Sequence, residues 1–173
     1  RCMDRVVIIR ANDEVTKLLM QEGTDWDLDH IQVYNEKKLQ CSLSDYKFGL
    51  KGIVDKYIID DEAETITIVD LKTTAKPLND FAETVDYYNY WLQAAIYTLL
   101  VIKNVDEKQQ KYKIIFKFVV IDKYDQVYVF PVQERTLMEW IKNLREALVE
   151  ANYHYSKRKY HLPYVFANGN VTL

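Results

Sequence analysis

Asp70-Leu71-Lys72 closes the apolar run Ile66-Thr67-Ile68-Val69, and Gly52-Ile53-Val54-Asp55 lies a short hairpin upstream. Side chains alternate along a strand, so Asp70 and Lys72 project to one side of it. A neighbouring strand that brought Asp55 alongside would aim two carboxylates and one amine at a common point. Two acids and a backbone carbonyl, that of Leu71 between the motif residues, suit Mg²⁺, which keeps several of its waters. A metal held there polarises a phosphate and lowers the pKa of a bound water. Lys72 would orient or deprotonate that water, or offset charge in the transition state. The residue types point to metal-dependent phosphodiester cleavage. An isolated Asp-x-Lys is nonetheless common, and the competing interpretation is a set of solvent-facing charges on an edge strand.

The elements that must position these residues can be read from periodicity. Val6 to Ile9 is a short apolar run, a strand or the end of a helix. Asn12 or Asp13 caps a helix carrying Val15, Leu18 and Leu19, with Gly23 just past its end. Ile31–Tyr34, Leu39–Ser44, Gly49–Ile59 and Thr65–Leu71 read as an antiparallel meander of about four strands. Turns fall at Ser44-Asp45-Tyr46-Lys47 and at the polar tip Asp60 to Glu64. Pro77 breaks the chain, and a long helix follows from about Val85 to Lys103, with Trp91, Ala94, Ala95, Thr98 and Leu99 at helical spacing. Lys111–Ile121 and Val127–Val132 form a strand pair across Lys123-Tyr124-Asp125. A last helix from about Gln133 to Lys157 carries Leu137, Trp140, Ile141, Leu144, Leu148 and Ala151 on one face. The order α-β-β-β-β-α-β-β-α shows no repeat or linker, so residues 1–173 are expected to form a single domain. Its class is α/β (α+β), a mixed, mostly antiparallel sheet flanked by helices.

The bulk numbers agree with such a domain. The 173 residues are 49% hydrophobic and 28% charged, enough for a real core. Four glycines and three prolines exclude long low-complexity segments. The net charge of −3 does not advertise nucleic acid, but binding depends on a local basic groove rather than the total. Composition leaves the partner open. Cys2 and Cys41 lack metal-ligand spacing and read as free thiols in a reducing cytoplasm. The longest apolar run, Ala94 to Ile102 between Gln93 and Lys103, falls short of the ~20 residues a membrane span needs and reads as a buried helix. No signal peptide is visible. The chain opens at Arg1 without an initiator methionine, which leaves room for an N-terminal element upstream.

Taken together, Gly52-x-x-Asp55, Ile68-Val69-Asp70-Leu71-Lys72-Thr73 and Gln93-Ala94-Ala95-Ile96-Tyr97 resemble the RecB-like branch of the PD-(D/E)xK nuclease superfamily. Phe81 and the stretch Tyr87 to Gln93 look like phage recombination exonucleases of the exonuclease VIII type. The similarity runs over about residues 31–135. It implies a restriction-endonuclease-like core, with Asp55 and Asp70 as metal ligands for Mg²⁺ or Mn²⁺ and Lys72 as the catalytic lysine. Gln93 and Tyr97 match the helix motif that borders the active site and contacts DNA or orients the lysine; residues four apart share a helix face. Thr73 completes the strand motif. Glu36 falls where many relatives carry a glutamate, as a metal ligand through water or a brace; a solvated strand-end charge is the other reading. The family's first-helix ligand has no match: neither Glu14 nor His30 has a recognisable motif around it.

The same resemblance implies DNA hydrolysis, exonucleolytic and tied to phage or bacterial recombination or repair, through backbone contacts of low sequence preference. A recombination partner protein and a ring-shaped homo-oligomer would suit that role. Membranes are not expected as partners. The alternative is a nuclease fold that no longer cuts and serves as a DNA-binding or assembly subunit. One branch carries a four-cysteine iron–sulfur cluster; two cysteines cannot build it, so that cluster is expected to be absent.

Other constellations carry less. Asp25-x-Asp27-x-Asp29 with Glu36 mimics a calcium loop, but His30 stands where the turn needs Gly and Ile31–Tyr34 reads as strand. There is no His-x-x-x-His pair and no Gly-rich phosphate loop. Lys157-Arg158-Lys159 is a basic run at a helix end, open to phosphate contact or simply solvated.

Overall fold

The computed structural model describes residues 7, 9–20, 29–161, 163–167 and 169. Its elements are α1 (Asp13–Met20), β1 (Ile31–Ser42), β2 (Gly49–Asp60), β3 (Thr65–Thr73), α2 (Phe81–Tyr87), α3 (Tyr90–Asn104), β4 (Lys113–Ile121), β5 (Val127–Val132), α4 (Glu134–Lys157) and α5 (Tyr164–Ala167). The five strands lie in the order β1-β2-β3-β4-β5. All neighbours are antiparallel except β3 and β4, which run parallel and are joined by the crossover through α2 and α3. The expected mixed, mostly antiparallel sheet flanked by helices is what forms.

Hydrophobic periodicity sets the layers. Ile66 and Ile68 of β3 and Phe116, Phe118 and Val120 of β4 join Ala94, Leu100 and Val101 of α3 in the main core. Phe116 and Phe118 lie at its centre, and burial of each contributes about 1.5–3 kcal/mol. The intervening residues Val69 and Val119 face the other way and pack with Val129 against Val15 of α1. Ala95, on the far side of α3, meets Leu144 and Leu148 of α4. Helix α3 is therefore covered on both sides, which explains why its apolar run Ala94–Ile102 is too long for a one-faced surface helix. Among the described residues no helix is long and apolar enough to cross a membrane.

Two expected boundaries are corrected. Ile31–Tyr34 and the Leu39–Ser42 part of the second expected run belong to the single strand β1, which ends at Ser42, so three strands rather than four precede the crossover. The polar stretch Asn35–Lys38 is exposed but does not turn. Glu36 takes a left-handed φ of 45° there, and the register is the same on both sides of it: Asn35 faces Lys56 and Lys37 faces Val54. The long helix expected from Val85 is split into α2 and α3, because Asn89 adopts a left-handed φ of 55°. Asn tolerates that conformation better than most residues, and its Oδ1 accepts a hydrogen bond from Trp91 Nε1 at 3.1 Å.

The N-cap of α1 is Asn12, whose Oδ1 accepts the Val15 N–H at 3.1 Å. Of the run 6–9, Val7 and Ile9 are described and helical. Gly23, Cys2, Asp25 and Asp27 lie outside the described residues. The far end of the β2–β3 hairpin is held by Asp61, which accepts hydrogen bonds from Gln32 Nε2 (3.0 Å), Gln109 Nε2 (3.1 Å) and Tyr112 Oη (2.9 Å).

Candidate active site

Strands β2 and β3 stay paired from Asp60↔Thr65 to Lys56↔Val69 and then part. One position further on, β2 presents Asp55 and β3 presents Asp70. At this fork the Leu71 N–H donates to Asp55 Oδ2 at 2.9 Å, where a ladder bond would otherwise form. In an extended strand a residue's N–H and C=O point the same way. The Leu71 carbonyl is therefore directed toward the Asp55 side as well.

Alternation holds on β3, where Asp70 and Lys72 share the α3 face with Ile66 and Ile68. It fails on β2. Val54 and Tyr57, three positions apart, both enter the main core, and Lys56 between them turns to the α1 face, where its Nζ donates to the Leu19 carbonyl at 3.0 Å. Asp55 stands at that break, in the β1–β2 register position opposite Glu36 with its left-handed backbone. Glu36 and Asp55 share a cavity of about 520 Å³ with Leu19, Asn35, Lys56, Val69 and Leu71.

Asp70 is 1% exposed. Its Oδ2 stands 2.5 Å from Lys72 Nζ. Lys72 and Asp55 are the polar groups that reach its carboxyl, and no neutral donor among the described residues caps either oxygen. Burial pushes the Asp70 pKa up to about 6; Lys72 pulls the other way and the Asp55 charge adds to the rise. Two carboxylates, Asp70 and Asp55, face the single ammonium of Lys72, and the uncompensated negative charge favours a cation beside them. With Asp55 and the Leu71 carbonyl this is an all-oxygen donor set suited to a hard divalent ion. The residues fit such an ion, although no cluster of three or more His, Cys, Asp or Glu occurs among the described residues.

Lys72 is held from three sides. Besides Asp70, its Nζ donates to Gln93 Oε1 at 2.8 Å and sits 4.7 Å from the centre of the Tyr90 ring. Gln93 Nε2 in turn donates to Tyr97 Oη at 2.8 Å. Burial raises the Tyr97 pKa, with Asp70 and Asp55 adding to it. Helix α3 can come this close because β2 has Gly52 beneath it. A Cβ there would meet Leu100 Cδ1 at 3.1 Å and Tyr97 Cε1 at 3.4 Å.

The structure thus brings Asp55, Asp70, Leu71, Lys72, Gln93 and Tyr97 together, with Glu36 on the rim. Thr73 is exposed and takes the face opposite Lys72, away from the lysine network. Glu14 and His30 are elsewhere: Glu14 pairs with Lys117 Nζ at 3.6 Å, and His30 Nε2 lies 3.5 Å from Glu62. Tyr90 was not singled out from the sequence. Its signal was there, since Tyr90, Gln93 and Tyr97 recur at i, i+3 and i+7 on one helix face.

The comparisons with known proteins bear on the family and the fold. A family model described as the PD-(D/E)XK nuclease superfamily matches residues 8–161. Among solved structures, one from Eubacterium rectale described as a candidate exonuclease superposes with a TM-score of 0.59 at 17% identity, over 87% of this chain. The chain spans about half of that protein, 52% of its length. No curated protein matches the sequence.

Proposed function

The chain belongs to the PD-(D/E)XK nuclease superfamily, and on that premise we propose that it hydrolyses DNA phosphodiester bonds with Mg²⁺ or Mn²⁺, as an exonuclease serving recombination or repair. The observation that carries this reading is the buried, donor-poor Asp70 beside Asp55, with Lys72 locked over it by Gln93. A divalent ion held by Asp55, Asp70 and the Leu71 carbonyl supplies Lewis-acid polarisation of the phosphate and an acidified water.

The chain's own groups do the rest. Lys72 offers its ammonium to the phosphoryl oxygens as negative charge grows on them, in a site with little water to weaken it. Gln93 accepts from Nζ and so fixes where that charge is aimed; Tyr97 fixes Gln93. Tyr90 covers the amine and excludes solvent from it. Asp55 braces the strand fork through the Leu71 N–H. Glu36 reaches the same cavity as a ligand through water or a brace.

The substrate backbone has a path to the site. Residues 37–54, the outer part of the β1–β2 hairpin, carry four lysines and one aspartate on a chain of net charge −3. Cross-strand pairs Gln40↔Lys51 and Lys38↔Ile53 form a row on the face away from α3, leading to Glu36 and Asp55. Lys38 and Lys51 line one cavity, and neither is ion-paired to a described residue. At about 3.4 Å per residue, Lys51 lies roughly 14 Å from Asp55 along the strand. Phosphate contacts of this kind position a nucleic acid without reading its sequence.

The test is incubation with end-labelled linear and closed circular DNA, with Mg²⁺, with Mn²⁺ and with chelator. Linear DNA should be degraded from its ends only with metal. Lys72→Ala should abolish cleavage yet keep the metal-induced rise in melting temperature, whereas Asp70→Ala should lose both. Cleavage by Asp70→Ala at the wild-type rate would refute the site.

A further inference from the structure

Tyr87 and Tyr88 are 76% and 59% exposed, side by side at the break between α2 and α3. These two rings do not fold back into the core. They are ordered by each other instead. Tyr87 meets Tyr88 edge-on, with centroids 4.9 Å apart. Tyr88 in turn stacks on Tyr90 at 5.6 Å with planes 23° apart. Tyr90 is anchored from within by Phe81 at 6.3 Å and Phe118 at 6.4 Å, and its ring carries Lys72 Nζ at 4.7 Å. The three rings form a ladder from open solvent to the amine of the candidate active site. The left-handed Asn89 makes the ladder possible, because it ends α2 and lets Tyr88 turn onto Tyr90.

We propose that Tyr87, Tyr88 and Tyr90 form a stacking platform for unpaired bases of the DNA strand whose phosphate reaches Lys72. The inference rests on the nuclease reading above and adds to it a preference for ends with unpaired nucleotides. Aromatic faces accept any base, so the platform is indifferent to sequence. A base paired within a duplex has its faces occupied by its neighbours and cannot use it. The cation at the inner end of the ladder matches the charge of the backbone that such bases would bring with them. A protein partner would have no reason to lie along a path that ends on Lys72.

Fluorescence anisotropy of two labelled single-stranded oligodeoxynucleotides tests this, one normal and one of equal length with abasic nucleotides. Both carry the same phosphates, so any difference between them belongs to the bases. The wild type should bind the normal strand about tenfold tighter, the effect of roughly one stacked base. Tyr87→Ala/Tyr88→Ala should bind both strands alike, at the weaker affinity. Tyr87→Phe/Tyr88→Phe should keep the discrimination. An unchanged melting temperature and an unchanged metal-induced rise in it for the alanine variant would show that the fold and the metal-holding residues are intact.

Discrimination that persists in the alanine variant overturns the platform. So does a wild type that cuts DNA but does not distinguish the two strands, a result that leaves the nuclease reading standing. If the alanine pair instead turns a self-associating protein into a monomer in sedimentation, with no effect on base discrimination, the ladder is an interface between copies and the proposal fails. A wild type that neither binds nor cuts any DNA with either metal overturns the nuclease reading itself.

Discussion

Asp70 is kept in a place that does not suit a charge, and that has a measurable cost. Its folded pKa of about 6 lies above the ordinary 3.8, so the folded state holds this proton more tightly than the unfolded one. Below pH 3.8 both states are protonated and no cost arises. As pH rises toward 6 and beyond, the metal-free fold loses stability, by about 3 kcal/mol in all. Asp61 shifts downward, its largest cause the hydrogen bond from Gln109, so it acts only below the ordinary carboxylate range and does not overlap this window. Melting curves in chelator between pH 4.5 and 7.5 should therefore fall with pH for the wild type. Asp70→Asn should flatten that slope. An identical slope in both proteins would show that Asp70 is not the group responsible. Asp70 and Lys72 were legible in the sequence because strand alternation is a local rule. The position of Asp55 was legible only in outline: it sits where alternation breaks, which depends on the partner strand and the kink at Glu36.

At the level of elements, the approach of α3 to the β1–β2 hairpin decides whether Tyr97 and Gln93 reach Lys72. Gly52 permits that approach, since even one methyl would stand 3.1 Å from Leu100 Cδ1. Gly52→Val should destabilise the fold by about 1–3 kcal/mol through overpacking and should slow cleavage more than it weakens DNA binding. Urea denaturation and steady-state kinetics on one preparation check both parts; wild-type values for both would dismiss the close-packing argument. The helix break illustrates what pattern reading misses. The periodic apolar positions Ala94, Ala95 and Thr98 located α3 correctly, but nothing periodic marks Asn89, whose backbone angle is a single-residue event. Similarly, the exposed polar run Asn35–Lys38 imitates a turn, although its backbone remains paired with β2 on either side of Glu36.

For the whole molecule, the distribution of charge matters more than its sum. A net −3 protein is expected to repel DNA at long range, yet the outer hairpin gathers four of its lysines. Replacing Lys38 and Lys51 together with Gln should weaken binding of unrelated DNA sequences to similar degrees. It should also lower the slope of log affinity against log salt by about 1–2, as two lost phosphate contacts require. Titrations between 50 and 200 mM salt, concentrations on the scale used for such slopes, would detect it. An unchanged slope would move the DNA path off the hairpin. Composition alone could not have located this patch, because lysines distant in sequence, such as 38 and 51, become neighbours only once the register is known.

The fork between β2 and β3 makes the hairpin a lever. One half of β2 is rooted in the sheet; the other half leans on α3 at Gly52, and its tip, through Phe48, touches Tyr155 of α4 with ring centroids 5.7 Å apart. Asp55 is at the fulcrum and Asp70 on the fixed side. The packing of that tip against α4, which Leu43, Tyr46 and Leu50 join, holds the gap between the two carboxylates from a distance. A change made at that tip, far from the site, should therefore register as a change in the metal-induced rise in melting temperature.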